Sequence, residues 1–239
     1  MTRPRLRMIA ALLVAFGVGA PLSGAATSRP ALANAPTRAW ATDGSVFAIA
    51  STPSEVYVGG DFTLIDPHTC AQALVQPAGV PTAPQPVEGG FVYEAVSDGA
   101  GGWFIAGDFD SVGGIPQPRL AHVLPDGKLD LRWRPTLNGV VTVLERRRAT
   151  LYVGGTFTKF AGQPRSLLAA VDIRKRSLTT WKPVISGRKK NDEVFVTDLA
   201  LAPDGRALYV AGYFWRVGGK RRANLAAVDT GSAAAVTSW

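Results

Sequence analysis

Cysteine and histidine are scarce in this 239-residue sequence. Cys70 is the single cysteine, so the chain has no internal disulfide. Neither His68 nor His122 has a partner at the spacing of a metal site, and we expect His122 to be hydrogen-bonded inside an apolar strand. The sequence contains no Gly-x-Ser-x-Gly, no P-loop and no dinucleotide-binding fingerprint. We therefore assign no catalytic, cofactor-binding or metal-binding residue from motifs.

Long hydrophobic runs are also lacking, apart from Met8–Ala20, which is too short for a membrane span. Three arginines precede this run, and Ala31–Ala33 forms a cleavage site of the Ala-x-Ala type. Residues 1–33 are therefore predicted to be a secretory signal peptide, with an uncleaved N-terminal anchor as the alternative. We expect a secreted or cell-surface protein of bacterial type, without a membrane span after cleavage.

The apolar spacing of amphipathic helices is absent, and a strand-like heptapeptide is present four times instead. Aromatic and β-branched residues fill both of its faces, which is typical of a strand that is covered on both sides. The glycines in its middle indicate a bulge or the close approach of a second backbone. The copies are Val56–Phe62, Trp103–Phe109, Leu151–Phe157 and Leu208–Phe214.

The sequence around the heptapeptides repeats in one order, from which the first copy departs. A Gly-Gly or Ala-Gly pair follows, then a short apolar run such as Leu168–Asp172, then a turn and a Trp-x-Pro signal. In the first copy Asp66-Pro67 replaces the pair, and prolines fill the place of Trp-x-Pro. We interpret the repeated positions as structural rather than catalytic. They are Tyr57, Gly59, Gly60, Phe62, Phe104, Gly107, Phe109, Trp133, Tyr152, Gly154, Gly155, Phe157, Trp181, Tyr209, Gly212, Phe214 and Trp239.

The period of the repeat predicts the architecture. The second glycine of the heptapeptide recurs after 47, 48 and 57 residues, and the long interval contains Gly187–Asp192, a predicted surface loop. Units of about 40–50 residues with four strands fit the blades of a β-propeller. We predict an all-β propeller of about four units, each with four antiparallel strands, in a domain spanning 34–239. The predicted blades are 44–90, 91–138, 139–187 and 194–239.

The Tyr-Val-Gly-Gly-x-Phe core, the later Gly-Gly, the Leu-Ala-Ala-Val-Asp run and the Trp-x-Pro resemble the bacterial delta-60 repeat family of β-propellers. A similar strand motif occurs in fungal cortical-marker repeat proteins, so the motif indicates a fold more than a task. The resemblance covers Trp40 to Trp239 and implies an exported propeller without family-defining catalytic residues. We expect an incomplete ring, either four blades with loose ends or a piece of a longer propeller, whose open edge favours self-association.

Charge is distributed unevenly along the chain, whose formal net charge is +8. Residues 34–118 hold one basic and nine acidic side chains, whereas residues 119–239 hold 21 basic and nine acidic ones. The basic residues form four triplets that we place in loops, and six of them are a candidate patch for an anionic ligand, with a solvated charged surface as the alternative. These six are Arg146, Arg147, Arg148, Lys220, Arg221 and Arg222.

The residues leave several functions open. The repeated acids Asp61, Asp108, Asp172 and Asp229 suit calcium or glycan chemistry near a propeller axis, or simple turn capping. Trp215 suits stacking on a sugar or burial between blades. We predict a non-catalytic binding or scaffolding module for an extracellular glycan, a cell-wall polymer or a protein. The alternatives are a polysaccharide lyase or hydrolase and an N-terminal fragment of a larger exported protein. Nucleic acid is not expected as a partner, because no aromatic stacking pattern accompanies the triplets.

Overall fold

The computed structural model describes residues 45–51, 56–61, 64–65, 68–69, 72–75, 86–231 and 233–237. The predicted signal peptide and the positions Trp40, Phe62, Cys70 and Trp239 lie outside these residues. All regular elements in the described ranges are β-strands, which confirms the all-β prediction. None of the described residues belongs to a helix long and apolar enough to cross a membrane.

Four antiparallel sheets follow one another along the chain, and we number them blades 1 to 4. In each blade the first strand pairs with the second, and the second pairs with the third. Blade 1 contains β1 (Ser45–Ser51), β2 (Val56–Asp61) and β5 (Gln72–Val75). Blade 2 contains β7 (Val92–Ser97), β8 (Trp103–Gly107) and β11 (Leu120–Val123). Blade 3 contains β12 (Val141–Arg147), β13 (Thr150–Gly155), β16 (Leu168–Asp172) and β17 (Ser177–Leu178). Blade 4 contains β19 (Phe195–Leu201), β20 (Ala207–Tyr213) and β23 (Leu225–Asp229).

The fourth strand is short or missing in blades 2 to 4, the blades in which the structure describes its place. Within the described ranges, only blade 3 has a regular fourth strand, and the fourth place in blades 2 and 4 holds a single bridge, Val123 to Leu129 and Val228 to Val236. In blade 2 the chain turns away directly after Leu129, and the backbone N–H of Asp130 donates to the carbonyl of His122. The expectation of four full strands per blade is therefore wrong for blades 2 and 4.

A short hairpin connects the second and third strands of every blade. In blade 2 its two-residue turn is Gly113–Gly114, and both glycines have positive φ (59° and 72°), as tight hairpin turns require. The repeated glycine pair of the sequence is therefore a hairpin turn. The hairpins are β3 (Leu64–Ile65) with β4 (His68–Thr69), β9 (Ser111–Val112) with β10 (Ile115–Pro116), β14 (Lys159–Phe160) with β15 (Gln163–Pro164), and β21 (Arg216–Val217) with β22 (Lys220–Arg221). The chain entering blades 2 and 4 adds β6 (Val87–Glu88) and β18 (Ile185–Ser186) to these hairpins.

The first strand of every blade has a bulge opposite the second glycine of the heptapeptide. In blade 3 the register shifts between Val141 and Val143, and a Cβ on Gly155 would lie 2.1 Å from the carbonyl oxygen of Val140. A Cβ on the equivalent glycines of the other blades would lie 1.8 to 2.2 Å from a carbonyl oxygen. The bulge and the close backbone approach are thus both present at this glycine.

The core consists of three layers of buried side chains, one between each pair of consecutive blades. This explains why both faces of the heptapeptide are apolar, since each inner blade packs on two neighbours. Burying one such aromatic side chain contributes roughly 1.5–3 kcal/mol. Each layer contains a pair of aromatic rings with centroids 5.3 to 5.4 Å apart, namely Tyr57 with Trp103, Phe104 with Trp133, and Tyr152 with Trp181.

The Trp-x-Pro tryptophans lie beyond the fourth-strand positions and close these layers. Trp181 is buried, and its Nε1 donates to the carbonyl of Asp229 in blade 4 at 2.8 Å. Trp181 therefore connects its own blade to the next one, rather than forming part of an outer strand.

Candidate functional site

The two ends of the strands carry different loops. One end, which we call the turn end, has the turns between first and second strands, and the other, the hairpin end, has the hairpins that follow each second strand. The turns of neighbouring blades are adjacent, because Arg147 of blade 3 donates from Nη1 to the carbonyl of Gly205 (2.6 Å) and from Nη2 to that of Asp204 (2.9 Å) in blade 4.

The six basic residues predicted to form a patch do not share one surface. Arg146–Arg148 lie at the turn end, and Lys220–Arg222 lie at the hairpin end, so the length of the strands separates the two triplets. The prediction that both triplets occupy loops is also wrong. Arg146 and Arg147 end strand β12, and Lys220 and Arg221 form strand β22, because hairpin pairing extends into the charged residues.

Most of these cations are bound to backbone carbonyls. Arg147 ties blade 3 to blade 4 as described, and Arg146 donates from Nη1 to the carbonyl of Arg148 at 2.7 Å. Arg222 donates from Nη2 to the carbonyl of Thr237 at 3.3 Å, and Lys220 donates to that of Val236 at 3.4 Å. These side chains hold the fold together, which lowers their availability to a ligand.

Arg222 occupies a structural position that recurs in three blades. The equivalent Gln117 donates from Nε2 to the carbonyl of Pro135 (3.1 Å), and Arg165 donates from Nη2 to that of Thr179 (3.0 Å). Each of the three side chains pins the chain that leaves the outer edge of its blade. Sequence reasoning missed this tie, although its signal is visible: in blades 2 to 4 a long polar side chain stands three residues after the second residue of the hairpin turn.

Arg221 differs from its neighbours because it lies over the ring of Trp215. Its Cζ is 4.4 Å from the ring centroid, and Cζ of Arg188, which belongs to the inserted loop, is 5.4 Å away. Trp215 is half-buried and lines a cleft of about 500 Å³ together with Gly187, Arg188, Asp192 and Tyr213, among others. The expected burial of Trp215 between blades is therefore wrong.

The inserted loop forms one wall of this cleft. Gly187–Asp192 connects β18 to β19 without forming a strand, which confirms the predicted loop. Asp192 folds the loop back, since its Oδ2 accepts a hydrogen bond from the backbone N–H of Lys189 at 2.8 Å. On the other side, the ring of Tyr213 stacks on Phe195 with centroids 5.8 Å apart, and 57% of Tyr213 is exposed.

This arrangement suits the binding of an anion beside an apolar ring. Arg188 lines the cleft beside the indole, and Arg221 lies over the same indole ring, so the N–H groups of both can donate to carboxylate, sulfate or phosphate oxygens. Asp192 and Glu193 also line the cleft, so the two guanidinium groups have to outweigh these carboxylates. Tyr213 offers an aromatic face at the same cleft. We call Arg188, Trp215, Arg221 and Tyr213 the tryptophan cleft.

The repeated aspartates do not come together at one site. Asp172 accepts hydrogen bonds from the backbone N–H groups of Arg174 and Lys175, and Asp229 accepts one from Gly231, which confirms turn capping for these two residues. The side chain of Asp61 lies outside the described residues. In the part of the chain that the structure describes, no group of three His, Cys, Asp or Glu residues is placed to hold a metal ion.

Asp108 has a different role, at the hairpin end of blade 2. Its Oδ1 accepts a hydrogen bond from the N–H of Phe91 and its Oδ2 one from the hydroxyl of Tyr93, both at 2.7 Å. Burial raises the pKa of Tyr93, and the hydrogen bond and charge of Asp108 raise it further. Thr156 replaces Asp108 in blade 3, where its Oγ1 accepts the N–H of Val140 at 3.0 Å. Asp108 therefore holds the bulged first strand of blade 2 to the end of the second strand.

A comparison with protein families decides the fold. Residues 101–132, which lie within blade 2, match a family model described as a domain of unknown function (DUF5122) beta-propeller. The fold is a β-propeller. The matched segment runs from β8 through the hairpin β9–β10 to β11, so it contains the heptapeptide and the glycine pair of this blade. A comparison with curated proteins found no match to the chain.

At the turn end of this propeller, His122 lies between two carboxylates. Its Nε2 is 3.0 Å from Oδ2 of Asp98, its Nδ1 is 3.1 Å from Oδ2 of Asp130, and its ring stacks on Phe104 at 4.4 Å. The histidine side chain is only 14% exposed, which confirms the predicted hydrogen-bonded core histidine. Burial acts to raise the pKa of Asp98 and Asp130, but hydrogen bonds from His122 and from backbone N–H groups outweigh it and hold both below their usual range. The cluster ties the strands of blade 2 together.

The first strands of three consecutive blades each bring one carboxylate, Glu94, Glu145 and Asp198. These strands pack side by side around the inner side of the propeller. Burial raises the pKa of Glu94 to about 7, against the opposing hydrogen bond from the N–H of Ala95, and the charges of Asp198 and Glu145 raise it further. Burial also raises the pKa of Glu145, with a further contribution from Asp198. Sequence reasoning missed these acids because they do not repeat at one position: Glu145 stands two residues later in its strand than Glu94 and Asp198 do in theirs.

Glu94→Gln should stabilise the propeller at pH 8 and leave its stability unchanged at pH 4.5. A carboxyl whose pKa is raised on folding destabilises the native state once the pH exceeds its unfolded pKa, and this cost grows until the pH passes the folded value. We expect a gain of about 1–2 kcal/mol at pH 8, less than the full shift implies because the side chain keeps some contact with water. Urea unfolding of both proteins at pH 4.5, 6 and 8 measures the gain.

A second variant tests whether the repulsion is real. Asp198→Asn removes the larger of the two charge effects that raise the pKa of Glu94. In the Asp198→Asn background, the stability gained by Glu94→Gln should therefore depend less on pH. A gain for Glu94→Gln that is equal at all three pH values would contradict the titration of this group.

Proposed function

We propose that the chain is an exported, non-catalytic binding propeller of the delta-60 type, and that its tryptophan cleft takes an acidic glycan such as a cell-wall polymer. The observation that carries the proposal is the position of two guanidinium groups over one indole that lines a cleft. The signal-like residues 1–33 support export.

Acidic sugars present the two features that the cleft is built to contact. A sugar ring has an apolar face for which Tyr213 offers an exposed partner, and its acid group suits the paired N–H donors of Arg188 and Arg221. The surrounding residues 119–239 carry a net charge of +12, which favours the approach of a polyanion at low ionic strength.

Replacing Arg221 or Trp215 by Ala should weaken binding of a polyuronate about tenfold or more, since each change removes a charge-assisted contact or the ring that positions it. Calorimetric titration with alginate measures this effect, and dextran serves as the uncharged polymer. Arg206→Ala is the matched control, because Arg206 is an exposed arginine at the turn end of blade 4.

Three outcomes would overturn the proposal. They are equal binding of dextran and alginate, an equal loss of affinity for Arg206→Ala, and the release of shorter sugars from alginate during the titration. The last result would instead support the enzyme alternative. If this cleavage is lost in the Asp108→Ala variant, the catalytic site would lie at the hairpin end of blade 2, where Asp108 is located.

A further inference from the structure

The layers between blades show what each face of a blade is built to contact. In the first strand, one apolar position faces the preceding blade, and it is buried in blades 2, 3 and 4 as Ala95 (2% exposed), Leu144 (3%) and Leu199 (5%). The equivalent residue of blade 1 is Ile49, which is 68% exposed. Blade 1 therefore exposes the apolar face that the preceding blade covers in blades 2, 3 and 4.

Blade 4 presents the complementary half. The leucine that begins the third strand faces the following blade and is fully buried in blades 2 and 3, as Leu120 and Leu168. The equivalent Leu225 of blade 4 is 44% exposed. We call the side of blade 1 at Ile49 the leading face and the side of blade 4 at Leu225 the trailing face.

We propose that the trailing face of one copy packs against the leading face of a second copy, so that the chain associates head to tail and repeats the layer that it already forms three times internally. Apolar side chains on both faces supply the contact, as between blades 3 and 4.

Charge favours this arrangement over the like-to-like alternatives. Residues 44–90, the predicted bounds of blade 1, hold four acidic and no basic side chains, a net charge of −4, and residues 194–239, those of blade 4, hold five basic and three acidic ones, a net charge of +2. Head-to-tail contact opposes unlike charges, whereas contact between two leading or two trailing faces opposes like charges. The second copy is thus the occupant whose shape and charge the two faces both fit.

Head-to-tail contacts can produce assemblies of two kinds, which differ in molecular mass. Two copies close a ring if the rotation between them allows both interfaces to form, and longer assemblies grow if it does not. Light scattering after size-exclusion chromatography of the purified chain should therefore show a dimer or a concentration-dependent larger assembly. A monomer at every concentration up to about 100 μM, well above the micromolar constants of weak specific interfaces, would overturn the proposal.

Two variants that each block one face provide the sharper test. Ile49→Asp blocks the leading face and Leu225→Asp blocks the trailing face, and each should raise the dissociation constant at least about tenfold. Leu131→Asp is the matched control, because Leu131 is also 59% exposed but lies on neither face. Circular dichroism of all three variants shows whether the fold is kept.

Mixing the two blocked variants distinguishes the arrangements. Ile49→Asp keeps its trailing face and Leu225→Asp keeps its leading face, so at a concentration where neither variant associates alone the mixture should form a heterodimer with one interface. If one blocked variant associates as tightly as the unchanged chain, or if the mixture stays monomeric, the head-to-tail arrangement is wrong. If Leu131→Asp disrupts the assembly equally, the contact lies elsewhere.

Discussion

Gly155→Ala should lower the free energy of unfolding by at least about 3 kcal/mol, within or above the range for overpacked interiors. The new methyl carbon would sit 2.1 Å from the carbonyl oxygen of Val140 and 3.0 Å from Cα of Val141. Both obstacles are backbone atoms, one in Val140 directly before the bulged strand β12 and one in its first residue, so no rotamer change can relieve the clash. The strand would have to leave its pairing with β13, which also disturbs the layers on either side of blade 3.

Gly162→Ala is the control for this prediction. Gly162 has φ of +74°, and a Cβ there would meet nothing within 4 Å. Its replacement introduces only the strain of a left-handed alanine, about 1–2 kcal/mol. Urea unfolding followed by tryptophan fluorescence compares the two variants. Similar losses for both would show that the bulge yields easily, contrary to the close approach described here.

Arg165→Ala should cost about 2–4 kcal/mol, because it empties a buried position and leaves carbonyl groups without donors. Arg165 is 8% exposed, and burial lowers the pKa of its guanidinium. Its Nη1 donates to the carbonyl of Pro164 at 2.8 Å, and its Nη2 donates to that of Thr179 at 3.0 Å. The truncation would release the chain that follows β17 and leads to Trp181.

Arg165→Gln is the matched variant, and blade 2 itself suggests it. Gln117 occupies this position there, is 2% exposed, and donates to the carbonyls of Leu120 and Pro135. We therefore expect Arg165→Gln to retain about half of the stability that Arg165→Ala loses, since the amide can restore one carbonyl contact. Thermal and urea unfolding give both values. Equal losses for Gln and Ala would show that packing, and not the carbonyl tie, determines the cost.

Local repeats made most of the architecture predictable. The glycines of the heptapeptide indicated a bulge or a backbone contact, and the structure shows both at Gly155. The later glycine pair stood out as a repeated signal, and Gly113 and Gly114 adopt the positive φ values that a tight hairpin turn needs. Such features depend on steric limits of single residues and their neighbours, which are written in the sequence.

The candidate site was predictable only in its ingredients. Trp215 and the basic triplets stood out by residue type, but the position of Arg221 over the indole, and not of Lys220 or Arg222, depends on which way each side chain leaves a short strand. The insertion could be recognised as a loop, yet its contact through Arg188 with Trp215 joins residues 27 positions apart.

By itself, the sequence determined that this protein repeats one all-β unit whose strands are apolar on both sides, because alternation and glycine placement follow from backbone geometry. Only the tertiary structure decided that Arg146–Arg148 and Lys220–Arg222 lie at opposite ends of the strands, and that Ile49 and Leu225 are exposed where their equivalents are buried. The physical reason is that burial and proximity arise when one blade packs on the next. A residue keeps the same position in its repeat whether or not a neighbouring blade covers it, so the sequence alone does not reveal the difference.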